Sequence, residues 1–342
     1  MLVFLLLIAA AAGATPPNAT ERAAVSARLA AVDGLLRSGR FDEALAELAA
    51  LDRDWSADPA FGWQVADRRG LALLGAERPL EALPLLEATV GRRPLEAGPH
   101  RNLALALARL DRKGRALAEY AQAAELAPTD PVLRLEHAQY LVQFHQWERA
   151  AAEFAVAAAL CGGCVDAERG LGYAWLQAGQ PARSIPALER VMDLGGEPDD
   201  RRRLLQALRE AGRDSALLAR LDGEDRQAWD RADHLAWVEA EGRLGGPAPR
   251  SLRYADALPA AEPAVAGDAL FWARVALNLL NAGQPAAGLK AADRAIALEP
   301  DSAVYRNNRV VLLLKLGRDR DAEAEWQNVL RLDPSLKEQK GP

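Results

Sequence analysis

The sequence is poor in the side chains on which most metal and redox sites depend. Its 342 residues include two cysteines, two methionines and four histidines. The histidines His100, His137, His145 and His234 are scattered, whereas zinc-binding motifs pair their ligands a few residues apart on one helix face. We therefore expect no metal site, and we predict that the four histidines are solvated or line a groove.

An excess of positive charge is also missing. Lys and Arg number 42 against 48 Asp and Glu, the formal net charge is −6, and the two signs are interspersed along the chain. Because a nucleic-acid-binding surface needs a stripe of cations to neutralise phosphates, this balance argues against DNA or RNA as a partner. Half of the residues are hydrophobic and 26% are charged, which is typical of a globular chain with a substantial core.

Catalytic motifs are absent from the sequence too. It contains no G-x-S-x-G, no phosphate-cradling glycine loop and no H-E-x-x-H. The segment GGPAPR at 245–250 lacks the lysine and the strand–helix setting of a nucleotide-binding loop. Acidic pairs such as Asp42 and Glu43 lie at predicted helix starts, where carboxylates complement the helix dipole. We predict a protein that is not an enzyme and that uses no cofactor.

One long apolar run stands at the amino end. The first fourteen residues, MLVFLLLIAAAAGA, carry no charged side chain and end in Ala12, Gly13 and Ala14, the small-x-small pattern of a secretory cleavage site. We predict a signal peptide over 1–14 and an exported protein, periplasmic in a Gram-negative cell. No Lys or Arg precedes the run, so an upstream start or an uncleaved anchor are alternatives. No later run approaches the roughly 20 apolar residues that span a bilayer, so we expect no membrane span in the mature chain.

Alanine and glycine, in contrast, are abundant and return at one constant interval. The first series is Gly70, Ala104, Ala138 and Gly172, the second is Ala82, Ala116, Ala150 and Ser184, and the prolines at 94 and 128 and at 300 and 334 share the interval. Two helices approach closely only where the side chains between them are small. The recurrence therefore predicts stacked helical pairs.

The pattern resembles the tetratricopeptide repeat, a helix-turn-helix unit of about 34 residues, which is the interval observed here. An aromatic residue follows the small residue of the second helix by four positions in Ala116 and Tyr120, Ala150 and Phe154, and Ala322 and Trp326, while Trp272 and Ala276 match the first helix. The resemblance implies an all-α fold, an α-solenoid of stacked helical pairs that forms a right-handed superhelix.

The strength of the repeat pattern divides the mature chain. We predict an amino-terminal repeat array over 15–198, divergent helical repeats over 199–265, a carboxy-terminal repeat pair over 266–336 and a polar tail over 337–342. The glycine- and proline-rich stretch at 245–249 either keeps the array continuous or acts as a hinge.

The resemblance also implies where a partner binds. In the family, first helices line the concave face of the superhelix, and that groove usually receives an extended peptide or a partner's helix. Amide and guanidinium groups there can hydrogen-bond a peptide backbone or carboxylate, and we expect Arg101 and Tyr173 to be the anchors. The polar residues at the inward positions are Gln64, Asp67, Arg101, Asn102, Arg109, Gln139, Gln143, Arg169, Tyr173, Gln177, Asn281, Asn307, Asn308 and Lys315.

The two cysteines lie close together in the string LCGGCVD. In an exported protein, the spacing of Cys161 and Cys164 favours a disulfide within a turn. No His follows to complete a haem-attachment motif, and no strand–helix context of a thioredoxin-like fold surrounds the pair. A structural disulfide, two idle thiols, a redox pair and a metal-binding pair are the alternatives.

These features together predict a non-enzymatic scaffold that binds a protein partner in its groove, within a cell-envelope assembly or a secretion system. One alternative is a glycan-binding accessory of a polysaccharide synthesis or export machine, which exposed tryptophan rings along one face would favour. Another is a redox protein that uses Cys161 and Cys164.

Overall fold

The computed structural model of the protein describes residues 18–245 and 263–338. The predicted signal peptide lies outside these residues, as do most of the stretch at 245–249 and the last four residues of the polar tail. Within the described ranges the regular structure is helical. None of these helices combines the length and the apolar character needed to cross a membrane.

The helices follow one another as helix-turn-helix pairs, which confirms the predicted all-α repeat fold. Those of the amino-terminal and middle parts are α1 (Ala19–Arg37), α2 (Phe41–Trp55), α3 (Gly62–Gly75), α4 (Pro79–Arg92), α5 (Ala97–Arg109), α6 (Lys113–Leu126), α7 (Pro131–Gln143), α8 (Trp147–Leu160), α9 (Val165–Gln177), α10 (Pro181–Asp193), α11 (Pro198–Glu210) and α12 (Asp214–Asp222). The remaining helices are α13 (Arg231–Leu244), α14 (Ala269–Asn281), α15 (Pro285–Leu298), α16 (Ala303–Lys315) and α17 (Asp319–Leu332). Short helical turns cover Arg226–Ala228, Pro263–Ala266 and Pro334–Glu338.

The chain divides into two compact units, Met1–Ala174 and Trp175–Pro342. In the amino-terminal unit, one core cluster joins α1, α2 and α3, and another joins helices from α3 to α7. In the carboxy-terminal unit, the divergent helices α11, α12 and α13 share a single core cluster with α14 to α17. Trp237 of α13 and Phe271 of α14 are wholly buried in it. The weakly patterned helices therefore belong to the same core as the clear repeats beside them.

The recurring small residues lie where the helices meet. Ala82, Ala104, Ala116 and Ala138 have no exposed surface. At Gly70, a β-carbon would lie 2.5 Å from Cδ2 of Leu86, a distance that real contacts essentially never show. Larger side chains would push the helices apart and open cavities beside them, so the alanines are required by the packing.

A polar contact recurs within four of the helical pairs, always between residues 19 positions apart. The pairs are Arg28–Glu47 at 2.5 Å, His100–Glu119 at 2.6 Å, Arg134–Glu153 at 2.9 Å and Arg306–Glu325 at 2.8 Å. In each case an Arg or His side chain of the first helix reaches a carboxylate of the second. The two helices of these repeats are thus joined by polar as well as by apolar contacts.

The same first-helix position also bonds back to the preceding turn. His100 Nε2 lies 3.0 Å from the carbonyl oxygen of Pro94, and Arg306 Nε donates to that of Pro300 at 2.9 Å. The indole of Trp272 donates in the same way to the carbonyl of Ala266, again six residues earlier, at 3.2 Å. These bonds hold each first helix against the turn that leads into it.

The prediction that the four histidines are solvated or line a groove was wrong for three of them, which are buried. His100, His137 and His234 are buried, and only His145 is exposed. The repeat aligns His137 with Leu103, a core position of α5, and so places its ring in the core of α7. Its Nδ1 lies 3.5 Å from a carboxylate oxygen of Glu153. No group of three or more His, Cys, Asp or Glu side chains in the described part of the chain could hold a metal ion.

Candidate interaction surface

Several residues of the predicted partner-binding set form hydrogen bonds to neighbouring first helices, so their polar groups are already engaged within the chain. Arg101 of α5 donates two hydrogen bonds to the carboxylate of Glu136 on α7, and the bond from Nε measures 2.6 Å. These hydrogen bonds raise the pKa of the Arg101 guanidinium. Asn102 is buried and donates at 3.0 and 2.9 Å to the two carboxylate oxygens of Asp67 on α3. Arg68 bonds Asp33 across the same interval of 35 residues. These side chains connect one repeat to the next.

Two more of the set are engaged close to their own position. The Gln64 amide donates to the carbonyl of Ala60 at 2.9 Å. Arg169 pairs with Asp166 at 3.2 Å, one turn earlier on α9. Of the two predicted anchors, Arg101 is thus bound by Glu136, while Tyr173 is half-buried.

Arg109, Gln139 and Gln143 are different, because their side chains are exposed and make no hydrogen bond or ion pair with any residue in 18–245 or 263–338. Gln139 and Gln143 stand four residues apart, on one face of α7. Arg109 on α5 and Gln143 on α7 occupy equivalent positions of their repeats. Gln139 on α7 and Tyr173 on α9 are equivalent in the same way. One face of three successive first helices therefore presents two amides, a guanidinium and a phenol.

Aromatic rings border this face at the turn between α7 and α8. The ring of His145 lies 5.0 Å from that of Trp147, which meets Tyr173 edge-on at 6.0 Å. Phe144 packs at 5.2 Å against Tyr140, which in turn lies 5.1 Å from Tyr120. Phe144, Trp147 and Tyr173 are only half-buried, so parts of their rings reach the surface. We call Arg109, Gln139, Gln143, His145, Trp147 and Tyr173 the interaction surface.

Deeper aromatic rings fix the edge of this surface. Tyr120 is buried, and burial raises the pKa of its phenol to about 12. The Lys113 ammonium lies 6.0 Å from the centre of the Phe144 ring. Phe144 therefore packs on Tyr140, which in turn packs on the buried Tyr120.

The sequence predicted His145 to be solvated or to line a groove, which its exposure confirms, but the partner-binding set did not include Trp147. The string FHQW at 144–147 carries a usable signal for Trp147. Equivalent turns in the other repeats read LDRK at 110–113 and AGQP at 178–181. Phe144, His145 and Trp147 thus replace the smaller and more polar residues that these equivalent turns use.

The remaining residues of the predicted set belong to the carboxy-terminal unit. Gln177 is exposed at the end of α9, Asn281 at the end of α14, and Asn307 and Lys315 on α16. Asn308 is half-buried beside Asn307. The structure thus gives these residues side chains that are at least partly accessible.

The tryptophans do not form an exposed row. Trp229, Trp237 and Trp272 are buried, and the other five are half-buried. The guanidinium of Arg183 lies 3.5 Å from the centre of the Trp175 ring and covers one of its faces. The feature that would favour glycan binding is therefore missing from the described residues, which include all eight tryptophans.

Cys161 and Cys164 form a disulfide in the turn between α8 and α9. Gly162 and Gly163 between them have φ of 68° and 88°, a region that suits glycine because it has no side chain. The repeat aligns Gly162 with Pro128, so it stands where the preceding inter-repeat turn has its proline. The disulfide therefore takes over the role of proline in restricting this turn.

A match to a known family agrees with this architecture. A family model described as the tetratricopeptide repeat matches residues 68–131, 135–200 and 274–336, more than half of the chain. A solved structure of MamA from MSR-1 is 20% identical, with a TM-score of 0.42, and covers 50% of this chain and 96% of its own. A thermophilic TPR protein in Thermus thermophilus is 20% identical, with a TM-score of 0.41, and covers 54% of this chain and 98% of its own. No protein of curated function matches the sequence.

Proposed function

Because the chain belongs to the tetratricopeptide repeat family, we propose that it is a non-catalytic scaffold that binds a protein partner on the interaction surface of its amino-terminal unit. The observation that carries the proposal is the contrast among the first-helix side chains. Arg101 and Asn102 are bound within the chain, whereas Arg109, Gln139 and Gln143 have no hydrogen-bond or ion-pair partner in the described part and lie beside half-buried rings.

Each group of the surface suits one element of a peptide. The amides of Gln139 and Gln143 can donate to and accept from the backbone of an extended segment or the side chains of a helix. The Arg109 guanidinium can bind a carboxylate through two hydrogen bonds. Trp147 and Tyr173 offer the partly exposed rings on which most interfaces concentrate their binding energy. We therefore expect an acidic or neutral segment with at least one large apolar side chain.

A displayed random-peptide library, selected on the full chain, tests this function. Selected peptides should bind the wild-type protein and lose at least about tenfold in affinity to the double variant Gln143→Ala, Tyr173→Ala, because the double variant removes an amide and an aromatic anchor. The matched control is Gln122→Ala, an exposed amide on α6, a second helix. Equal binding to all three proteins would place the partner elsewhere.

We propose further that the protein works outside the cytoplasm, in a cell-envelope assembly or a secretion system. The uncharged apolar run over 1–14 and the disulfide between Cys161 and Cys164 support this, since disulfides persist in oxidising compartments. Fractionation of cells that make the full chain, with mass measurement of its amino terminus, tests the proposal. Recovery of the intact terminus in the cytoplasmic fraction would refute it.

A further inference from the structure

An open pocket of about 500 Å³ lies away from the interaction surface, between the turn that joins α2 to α3 and the end of α4. The turn contributes Ser56 to Pro59, the first turn of α3 contributes Trp63, and the end of α4 contributes Arg92 and Arg93. We propose that this pocket is a second binding site, and that it takes the carboxylate of a peptide together with the aliphatic stem that bears it.

The two arginines of the pocket differ in what holds them. Arg93 is half-buried, donates to the carbonyl of Pro59 at 3.1 Å and lies 5.1 Å from the centre of the Trp63 ring. These two contacts fix the Arg93 side chain in place, and its guanidinium keeps further N–H groups that can donate to a ligand. Arg92 is exposed and makes no hydrogen bond or ion pair among the described residues. One oriented guanidinium and one unengaged guanidinium therefore face the same space.

The charge of the pocket attracts anions. Asp58 is the acidic residue in the lining, and its Oδ1 accepts from the backbone N–H groups of Ala60 and Phe61 at 2.7 and 3.0 Å. Two guanidinium groups against one carboxylate leave a single net positive charge, which attracts an anion. The guanidinium forks match the two oxygens of a carboxylate, and the Trp63 ring beside them suits an anion that carries an aliphatic stem.

The remaining walls suit a peptide. The Trp63 ring is half-buried and provides a flat apolar wall for an aliphatic stem. The Ser56 hydroxyl, on an exposed residue, makes no hydrogen bond among the described residues and can donate to a second oxygen of the ligand. Such a carboxylate occurs at the carboxyl terminus of a peptide and on its Asp or Glu side chains, and both sources present the same group to Arg92 and Arg93.

Titration of the full chain, followed by the NMR signal of the Trp63 indole N–H, tests the site. The signal is assigned by its loss in Trp63→Phe. Three probes separate the sources of the carboxylate: Gly-Ala-Leu with a free carboxyl terminus, acetyl-Gly-Glu-Leu amide, and acetyl-Gly-Ala-Leu amide as the neutral control. Inorganic phosphate is the fourth probe.

We expect saturable shifts with one or both of the first two probes, and the probe that binds identifies the source. Arg92→Gln should weaken that binding about tenfold, because a charge-assisted hydrogen bond is lost, while Arg37→Gln, an exposed arginine of α1, should leave it unchanged. Equal binding of the neutral peptide, tighter binding of phosphate, or an unchanged affinity in Arg92→Gln would each overturn the proposal. The double variant Gln143→Ala, Tyr173→Ala should bind the same probes with wild-type affinity, because its substitutions lie outside the pocket. A failure of the pocket proposal would therefore leave the proposed function unaffected.

Discussion

At the scale of single residues, backbone conformation sets three side chains apart. Glu77, Asp111 and His145 have φ of 59°, 55° and 55°, in the turn between the first and second helices of their repeats. The equivalent turns after α9 and α14 use Gly179 and Gly283, with φ of 68° and 72°. This left-handed conformation costs a residue with a β-carbon about 1–2 kcal/mol, whereas glycine adopts it freely.

Replacing Glu77 by glycine should therefore stabilise the protein. The Glu77 side chain is exposed and makes no hydrogen bond or ion pair in the described part of the chain, so little is lost with it. We expect the free energy of unfolding to rise by about 1 kcal/mol, measured by urea denaturation. The reverse change, Gly179→Glu, should lower it by a similar amount, and a fall in stability on Glu77→Gly would contradict the argument.

The buried Asp67 predicts a dependence of stability on pH. Burial raises the pKa of its carboxyl, and the hydrogen bond from Asn102 opposes the rise. A carboxyl whose pKa is higher in the folded state contributes stability that is fully present below its unfolded pKa, about 3.9, and is lost as pH rises through the folded pKa. The wild type should thus lose stability relative to Asp67→Asn as pH is raised from about 4 toward 7.

Urea denaturation at a series of pH values measures this difference. Asn102→Ala removes the hydrogen bond that stabilises the carboxylate, so it should make the loss of stability with pH steeper. A difference between wild type and Asp67→Asn that stays constant across the range, or that grows toward low pH, would show that burial does not control this carboxyl.

At the scale of the helices, the periodic recurrence of small residues was enough to place the repeats. Ala104 and Ala138 mark close helix contacts, and such contacts tolerate few other residues, so the pattern is strict. The candidate surface was less predictable. The sequence shows that Arg101 and Arg109 both lie on α5, but only the structure shows that Glu136 binds the first and that no hydrogen bond or ion pair in the described part holds the second. Side-chain pairing depends on which helices are neighbours, and a single helix pattern does not contain that information.

The disulfide is an element-scale feature whose removal should be measurable. The double variant Cys161→Ser, Cys164→Ser frees the turn between α8 and α9 in the unfolded chain, and the chain-entropy relation for so short a loop gives a loss of about 2 kcal/mol. Urea denaturation should show this loss, and a reductant should destabilise the wild type but not the variant. Equal stability of variant and oxidised wild type would mean that the two glycines already set the turn.

At the scale of the whole molecule, the two units have cores of different kinds. The described core of the amino-terminal unit separates into distinct clusters, whereas that of the carboxy-terminal unit runs without interruption from α10 to α17. Repeat arrays open in steps where neighbouring contacts are local. The amino-terminal unit should therefore open cluster by cluster, and the carboxy-terminal unit as one cooperative body.

Hydrogen exchange of the native protein tests this difference with two matched variants. Leu48 and Leu217 are both wholly buried leucines, one in the cluster of α1 to α3 and the other in the carboxy-terminal core. Leu48→Ala should lower protection in α1, α2 and α3 while α5 and α6 keep theirs. Leu217→Ala should lower protection throughout the carboxy-terminal unit. Loss of protection confined to α12 in the second variant would refute the single cooperative body.

Polar pairs within one repeat and polar pairs between neighbouring repeats have opposite consequences for changes in the number of repeats. A pair such as Arg134 and Glu153 is closed within one repeat, so duplication or excision of that repeat carries both charges with it. Asp67 and Asn102 instead bridge two repeats, and excision of either repeat would strand a buried polar group. Gain and loss of repeats at the gene level should therefore cost most between α3 and α5, because the bridge there is buried. The bridges Arg68–Asp33 and Arg101–Glu136 are partly exposed, so breaking them should cost less.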